Sequence, residues 1–192
     1  MGVGTNALGY ANQKIDKKVI NSIKNSNMST LNSTYEITLA EKLISIHNWA
    51  DKVRFTRSGG EANAVAIRLA RAFTKKDNIA ICGYHGWHDW YLSSNLSNQK
   101  NLDKHLLKDL NILGVPKKLK GTVFPFKYND FSALKKLIKN KKIGTIKMEV
   151  VRNVLPKNNF LKKVRNLATK KNIVLIFDEC TSGFRGSFGG AH

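Results

Sequence analysis

The sequence predicts an α/β fold built on a mostly parallel sheet with flanking helices. Short apolar runs alternate along the chain with segments whose apolar residues recur at helical spacing, which is the pattern of a parallel sheet wrapped by crossover helices. One of those runs, Ile173 to Phe177, is continuously apolar, as expected of a strand covered on both faces. The chain has 192 residues, 42% of them hydrophobic, enough to build a packed core.

Ile15, Val19 and Ile23 share one helical face and predict a helix over about residues 13–25. Ser33-Thr34-Tyr35-Glu36 has the form of a capping box, opening a second helix that carries Leu39, Ala40, Leu43 and Ile46. Val53 to Thr56 reads as a short strand ended by Ser58-Gly59-Gly60. Ala62, Val65, Ala66, Leu69, Ala70 and Phe73 then follow helical spacing more regularly than any other segment. Ile79 to Cys82 reads as a buried strand, and the polar stretch from 93 to 120 as irregular chain. Phe131, Leu134, Leu137 and Ile138 mark a helix, Gly144 to Glu149 a strand, and Phe160, Leu161, Val164, Leu167 and Ala168 another helix before the final apolar run. No internal repeat or low-complexity linker interrupts this order.

Lys and Arg number 33 against 13 Asp and Glu, a net charge of +20. Such a balance raises a nucleic acid or an anionic membrane as a partner. Placement argues against both. Lys135-Lys136, Lys139, Lys141-Lys142, Lys162-Lys163 and Lys170-Lys171 are spread over several helices with intact apolar faces, and no aromatic residues interleave with them as a base-stacking platform requires. No apolar run approaches a membrane span, and Met1-Gly2 lacks the Ser or Thr at position 6 that myristoylation needs, having Asn6. The start has no secretory pattern, and Cys82 and Cys180 form no CxxC pair, so a reduced, cytoplasmic setting is expected.

In a parallel α/β sheet, ligands bind beyond the carboxyl ends of the strands. Four segments fall there. Ser58-Gly59-Gly60-Glu61 opens a long helix, where glycines and free N–H groups suit a phosphate, although an ordinary strand-to-helix turn has the same form. Gly83-Tyr84-His85-Gly86-Trp87-His88-Asp89 offers an aromatic ring that can stack on a planar ligand. His85, His88 and Asp89 lack further ligands at metal-binding spacing, so no metal site is read there. Asp178-Glu179 places carboxylates where a ligand cation, a Mg²⁺ ion or a helix start would use them. Glu149-Val150-Val151-Arg152-Asn153 adds polar groups of little specificity. Together, a phosphate cradle, a stacking ring and a carboxylate suit an aromatic phosphate ester with a basic nitrogen.

The same segments resemble, in order, the signature segments of class III pyridoxal 5'-phosphate (PLP)-dependent aminotransferases: Thr56-Arg57-Ser58-Gly59-Gly60-Glu61-Ala62-Asn63-Ala64, Tyr84-His85-Gly86-Trp87-His88-Asp89, and Phe177-Asp178-Glu179-Cys180-Thr181-Ser182-Gly183-Phe184-Arg185. Gly4 to Tyr10 and Phe126-Lys127-Tyr128-Asn129-Asp130 resemble the glutamate-1-semialdehyde aminomutase-like branch. The resemblance implies the fold type I of PLP-dependent transferases. Residues 1–34 then correspond to a small-domain or connector segment and residues 35–192 to an incomplete PLP-binding large domain.

The resemblance also implies roles. Ser58, Gly59 and Gly60 would hold the cofactor phosphate, Tyr84 would stack on the pyridine ring with His85 beside it, and Asp178 would pair with the ring nitrogen. Cys180 stands where the family usually has a branched aliphatic residue against the other ring face, and Glu149 and Asn153 fall near its Glu-Pro segment, close to the cofactor hydroxyl. Gly60 takes a position often held by Thr, and Val150 the position of the usual Pro.

The family's Schiff-base lysine follows the Asp-Glu segment after another strand, and no lysine follows Asp178 in this chain. The sequence therefore reads as a fragment whose catalytic lysine lies beyond His192, with no turnover expected from it alone. The complete enzyme implied is an aminotransferase or aminomutase acting on a small amino donor and acceptor such as glutamate-1-semialdehyde, working as a homodimer. A basic nucleic-acid-binding protein and a non-catalytic remnant stand as the alternatives.

Overall fold

The computed structural model describes residues 4–25, 28 and 30–192. Met1 and Gly2, the start of the excluded myristoylation pattern, lie outside the described residues. The chain divides into two compact units, one of Met1–Arg54 with Ser187–Gly189, the other of Phe55–Gly186 with Gly190–His192.

The first unit holds α1 (Gln13–Asn25) and α2 (Thr34–Ile46), both over the residues predicted for them. The capping box forms as read: Ser33 Oγ accepts from Glu36 N–H and the Glu36 carboxylate accepts from Ser33 N–H. Neither helix contains a buried residue. Within this unit His47 bonds Leu43 O and Gly189 O through its two ring nitrogens.

The second unit holds the sheet. Its elements are α3 (Gly59–Thr74), β1 (Asn78–Cys82), a single-turn α4 (Asp89–Leu92), β2 (Val123–Pro125), α5 (Phe131–Asn140), β3 (Ile143–Glu149), α6 (Phe160–Lys170) and β4 (Val174–Asp178). The strands run in the order β2-β1-β3-β4, every neighbouring pair parallel. Alternation along the strands sorts the core into two layers. Ala80, Cys82, Ile146 and Met148 face Leu134 of α5 and Phe160, Val164 and Ala168 of α6. Ile79, Ile81 and Val123 face Ile67 of α3 together with Trp90, Tyr91 and Leu102. The α/β prediction with a parallel sheet and flanking helices therefore holds.

Three expectations are corrected. Val53 to Thr56 is not a strand: the segment has no ladder partner among the described residues, and an apolar run without a neighbour for its N–H and C=O groups remains irregular. Val123–Pro125 is a strand that periodicity did not reveal, because it is short and ends in proline. That residue is tolerated at a sheet edge, where β2 lies. Val174 to Phe177 is only half-buried, not covered on both faces, because β4 is the other edge of the described sheet. The stretch from 93 to 120 is irregular as expected, apart from 3₁₀ turns at Ser93–Leu96 and Lys117–Leu119.

No helix among the described residues is long and apolar enough to cross a membrane. The clustered lysines at 135, 136, 139, 141, 142, 162, 163, 170 and 171 are all exposed, as their positions on amphipathic helices required.

Candidate functional site

The carboxyl ends of β1, β3 and β4 meet the start of α3 in the second unit. Ser58 caps α3, its Oγ accepting from Glu61 N–H at 3.2 Å, and its backbone is extended, so the helix begins abruptly at Gly59. The amides of Gly59 and Gly60 precede the helix's own hydrogen-bond ladder and sit at its positive end, the arrangement that accepts an anion. Lack of a side chain matters at Gly60, where His88 would have to shift, and not at Gly59, where a Cβ would make ordinary contact. A Cβ on Gly59 would lie 3.5 Å from Cys180 Sγ, and one on Gly60 only 2.5 Å from His88 Nε2. Gly60 thus lets the helix start press against the post-β1 loop, while Gly59 lies beside Cys180 of the post-β4 turn.

The post-β1 loop turns at Gly83 and Gly86, which adopt φ of 113° and 97°, values that favour glycine. At Gly83 a Cβ would also fall 2.4 Å from Glu149 Oε2. This turn swings His85 inward until it is 1% exposed, stacked near Trp90 with ring centroids 6.2 Å apart. Asn63 of α3 donates to His85 O at 3.2 Å and ties the loop to the helix. Tyr84 meets Tyr91 edge-on at 5.9 Å, and its N–H donates to Glu149 Oε2 at 3.2 Å.

Asp178 is the last residue of β4 and stands beside Glu149, the last of β3. Its Oδ2 accepts from His85 Nδ1 at 2.9 Å and from Lys147 Nζ at 3.1 Å, while its Oδ1 accepts from Cys180 N–H at 3.1 Å. Burial alone would raise this carboxyl. The His85 hydrogen bond and the Lys147 charge outweigh it and hold the group well below the usual carboxylate range. His85 goes the other way: burial takes its pKa down to about 4 against the pull of Asp178. The imidazole is therefore neutral near pH 7 with its proton on Nδ1, opposite the carboxylate. Its Nε2 is buried with no hydrogen-bond partner among the described residues. Burial likewise pushes the Lys147 ammonium down, and Asp178 and Glu149 hold it up.

The predicted site residues do not all converge. Ser58, Gly59, Gly60, His85, Asp178 and Cys180 border one region above the strand ends, with Tyr84 next to His85 in the same loop. Glu149 belongs to it through Tyr84, but its Oε1 is taken by Arg152, with Nε at 2.8 Å. Asn153 lies to one side. It lines a cavity of about 170 Å³ with Cys82, Gly83, Tyr128, Glu149 and Arg152, and that cavity reaches neither the start of α3 nor Asp178. Lys147, on the same strand as Glu149, is a further site residue that motif and spacing do not single out. Its signal was present in the polar alternation Thr145, Lys147, Glu149 on a strand that proves to be buried throughout.

The family model for class-III aminotransferases matches residues 1–191. The chain belongs to the class-III aminotransferase family. It is 36% identical over 200 residues to a glutamate-1-semialdehyde 2,1-aminomutase of Sulfurisphaera tokodaii, matching 100% of this chain and 46% of that protein. A 3-aminobutyryl-CoA aminotransferase of Cloacimonas acidaminovorans is 35% identical, with 96% of this chain and 42% of that protein covered. Among solved structures, an omega-transaminase from Sphaerobacter thermophilus superposes with a TM-score of 0.81 at 29% identity, covering 95% of this chain and 43% of that one. This class-III aminotransferase chain thus spans under half the length of the relatives it matches.

Proposed function

We propose that this chain is the cofactor-holding front part of a PLP-dependent aminotransferase or aminomutase, acting on a small amino acid or amino aldehyde such as glutamate-1-semialdehyde. One observation carries the reading. An anion cradle at the start of α3 and a buried, ionised Asp178 are brought into one region by strand ends far apart in sequence. A phosphate at one end and a basic ring nitrogen at the other are what those two features can hold.

The residues fit that cofactor. Gly59 and Gly60 leave their N–H groups open to a phosphate, and the Ser58 hydroxyl can still donate its proton while its oxygen caps α3. Asp178 Oδ1, which accepts from the Cys180 amide and from no other donor among the described residues, has capacity for a ring N–H. His85 fixes the other oxygen and stays neutral, so it orients Asp178 without cancelling its charge. Cys180 lies beside the start of α3, Glu149 secures the Tyr84 backbone, and Tyr84 would stack on the ring from the post-β1 loop. Bound there, PLP supplies an electron sink to the carbon that carries the substrate's nitrogen. The lysine that anchors the cofactor and moves the proton is not assigned to any residue of this chain.

The large-domain assignment for residues 35–192, a homodimeric assembly and a cytoplasmic setting belong to the same reading and rest on family membership. Titration of the full-length protein with PLP tests it. The wild-type protein is expected to take up PLP with a shift in the cofactor's absorption, and Asp178→Ala to weaken uptake at least about tenfold, the scale of one lost charge-assisted bond. Equal binding by both would remove Asp178 from the cofactor site.

A further inference from the structure

Lys147 is a fully buried lysine inside a parallel strand, with a side chain 1% exposed. It stands in register between Ile81 of β1 and Ile176 of β4, one inward-facing position below the Glu149–Asp178 pair. An ammonium at such a place needs compensation, and its nearest one is Asp178 Oδ2 at 3.1 Å. The same oxygen already accepts from His85 Nδ1. Other charged or titratable groups acting on the ammonium are Glu149 and Cys180. The carboxylate that would meet a ring nitrogen therefore has its charge compensated from beneath before any ligand arrives.

We propose that Lys147 is a positioning residue that tunes the ring nitrogen held by Asp178: it pins Oδ2, directs Oδ1 to the ligand, and opposes the ring's positive charge with its own. This rests on the PLP reading given above. With His85 neutral, Asp178 and Lys147 sum to zero and Glu149 is paired with Arg152, so a protonated ring gives this cluster of side chains a net positive charge beside it. Take away the ammonium and the same ring makes a neutral pair with Asp178. Lys147 thus lowers the basicity of the bound ring nitrogen and moderates the electron-withdrawing power that Asp178 promotes. His85 Nδ1 and the Cys180 amide still hold the carboxylate when Lys147 is replaced.

The test uses the full-length protein, PLP ¹⁵N-labelled in its ring as the probe, and the variants Lys147→Met and Lys147→Gln. Met keeps the apolar stem without charge, and Gln keeps a donor without charge. The ¹⁵N shift of the bound ring is followed against pH. Both variants are expected to raise the pH at which the ring nitrogen loses its proton, by roughly one to two pH units, the scale of one nearby unit charge removed from a protein environment. Folded variants with the wild-type midpoint overturn the proposal. So does failure of both variants to fold, which makes Lys147 a structural counter-ion and nothing more. If the wild-type protein takes up no PLP, the cofactor reading itself falls and the tuning role with it.

Discussion

At the scale of single residues, the site is organised by one carboxylate and the groups that compete for it. The His85–Asp178 contact joins residues 93 positions apart, and nothing in local spacing announces it. The sequence offered both residues as candidates because each follows an apolar run. Their pairing required knowing that β1 and β4 flank β3. Lys147 was less legible still, since a lysine in a short strand reads as solvent-facing until the strand is known to be central. The burial of His85 has a measurable consequence. Its ordinary pKa is near 6.5 and its folded value about 4, so below pH 6.5 the unfolded chain binds a proton that the folded chain refuses. Stability is therefore full above pH 6.5 and falls as pH drops toward 4, by up to about 3 kcal/mol for this group. His105, also lowered by burial, adds to the same slope. The depressed Asp178 carboxyl contributes in a separate window, below the ordinary carboxylate range. Denaturant unfolding at a series of pH values should show the loss between pH 6.5 and 4, and His85→Asn, which keeps a donor toward Asp178, should flatten it. An unchanged slope in that variant would place the titrating group elsewhere.

Among elements, helices are more legible in the sequence than strands, for a physical reason. A helix such as α3 or α6 carries its own hydrogen bonds and buries one face, so its apolar spacing is written in its own residues. A strand exists only when a neighbour pairs with it. Val53 to Thr56 has the composition of a strand and no partner, whereas Val123–Pro125 has little strand signal and pairs with β1. The start of α3 is the element that serves both fold and site, and its two duties can be separated. Ser58→Ala removes the cap from Glu61 N–H and is expected to cost about 1 kcal/mol in a denaturant melt. Ser58→Asp supplies another capping oxygen and a charge that favours the helix dipole, so stability should stay near wild type. The same carboxylate stands where the phosphate would lie, and PLP affinity should collapse. A Ser58→Asp protein that binds PLP as well as wild type would show that the phosphate is held elsewhere.

For the molecule as a whole, the dominant physical fact outside the site is the charge of +20. Acidic partners are scarce: the ion pairs among the described residues that involve Lys or Arg are Lys147–Asp178 and Arg152–Glu149, both in or beside the site. The lysines on α5 and α6 are exposed and have no carboxylates at ion-pairing distance among those residues. Compaction therefore brings like charges closer than they stand in the unfolded chain, and the resulting repulsion subtracts from stability. Its range shrinks from about 30 Å at 0.01 M salt to about 10 Å at 0.1 M, so added salt should relieve it. The thermal midpoint is expected to rise by several degrees between roughly 0.01 and 0.3 M sodium chloride and then level off. The buried Lys147–Asp178 pair is shielded from that screening, so the ring-nitrogen midpoint discussed above should move little over the same salt series. A midpoint that falls steadily with salt would mean that attractive surface pairs outweigh the repulsion.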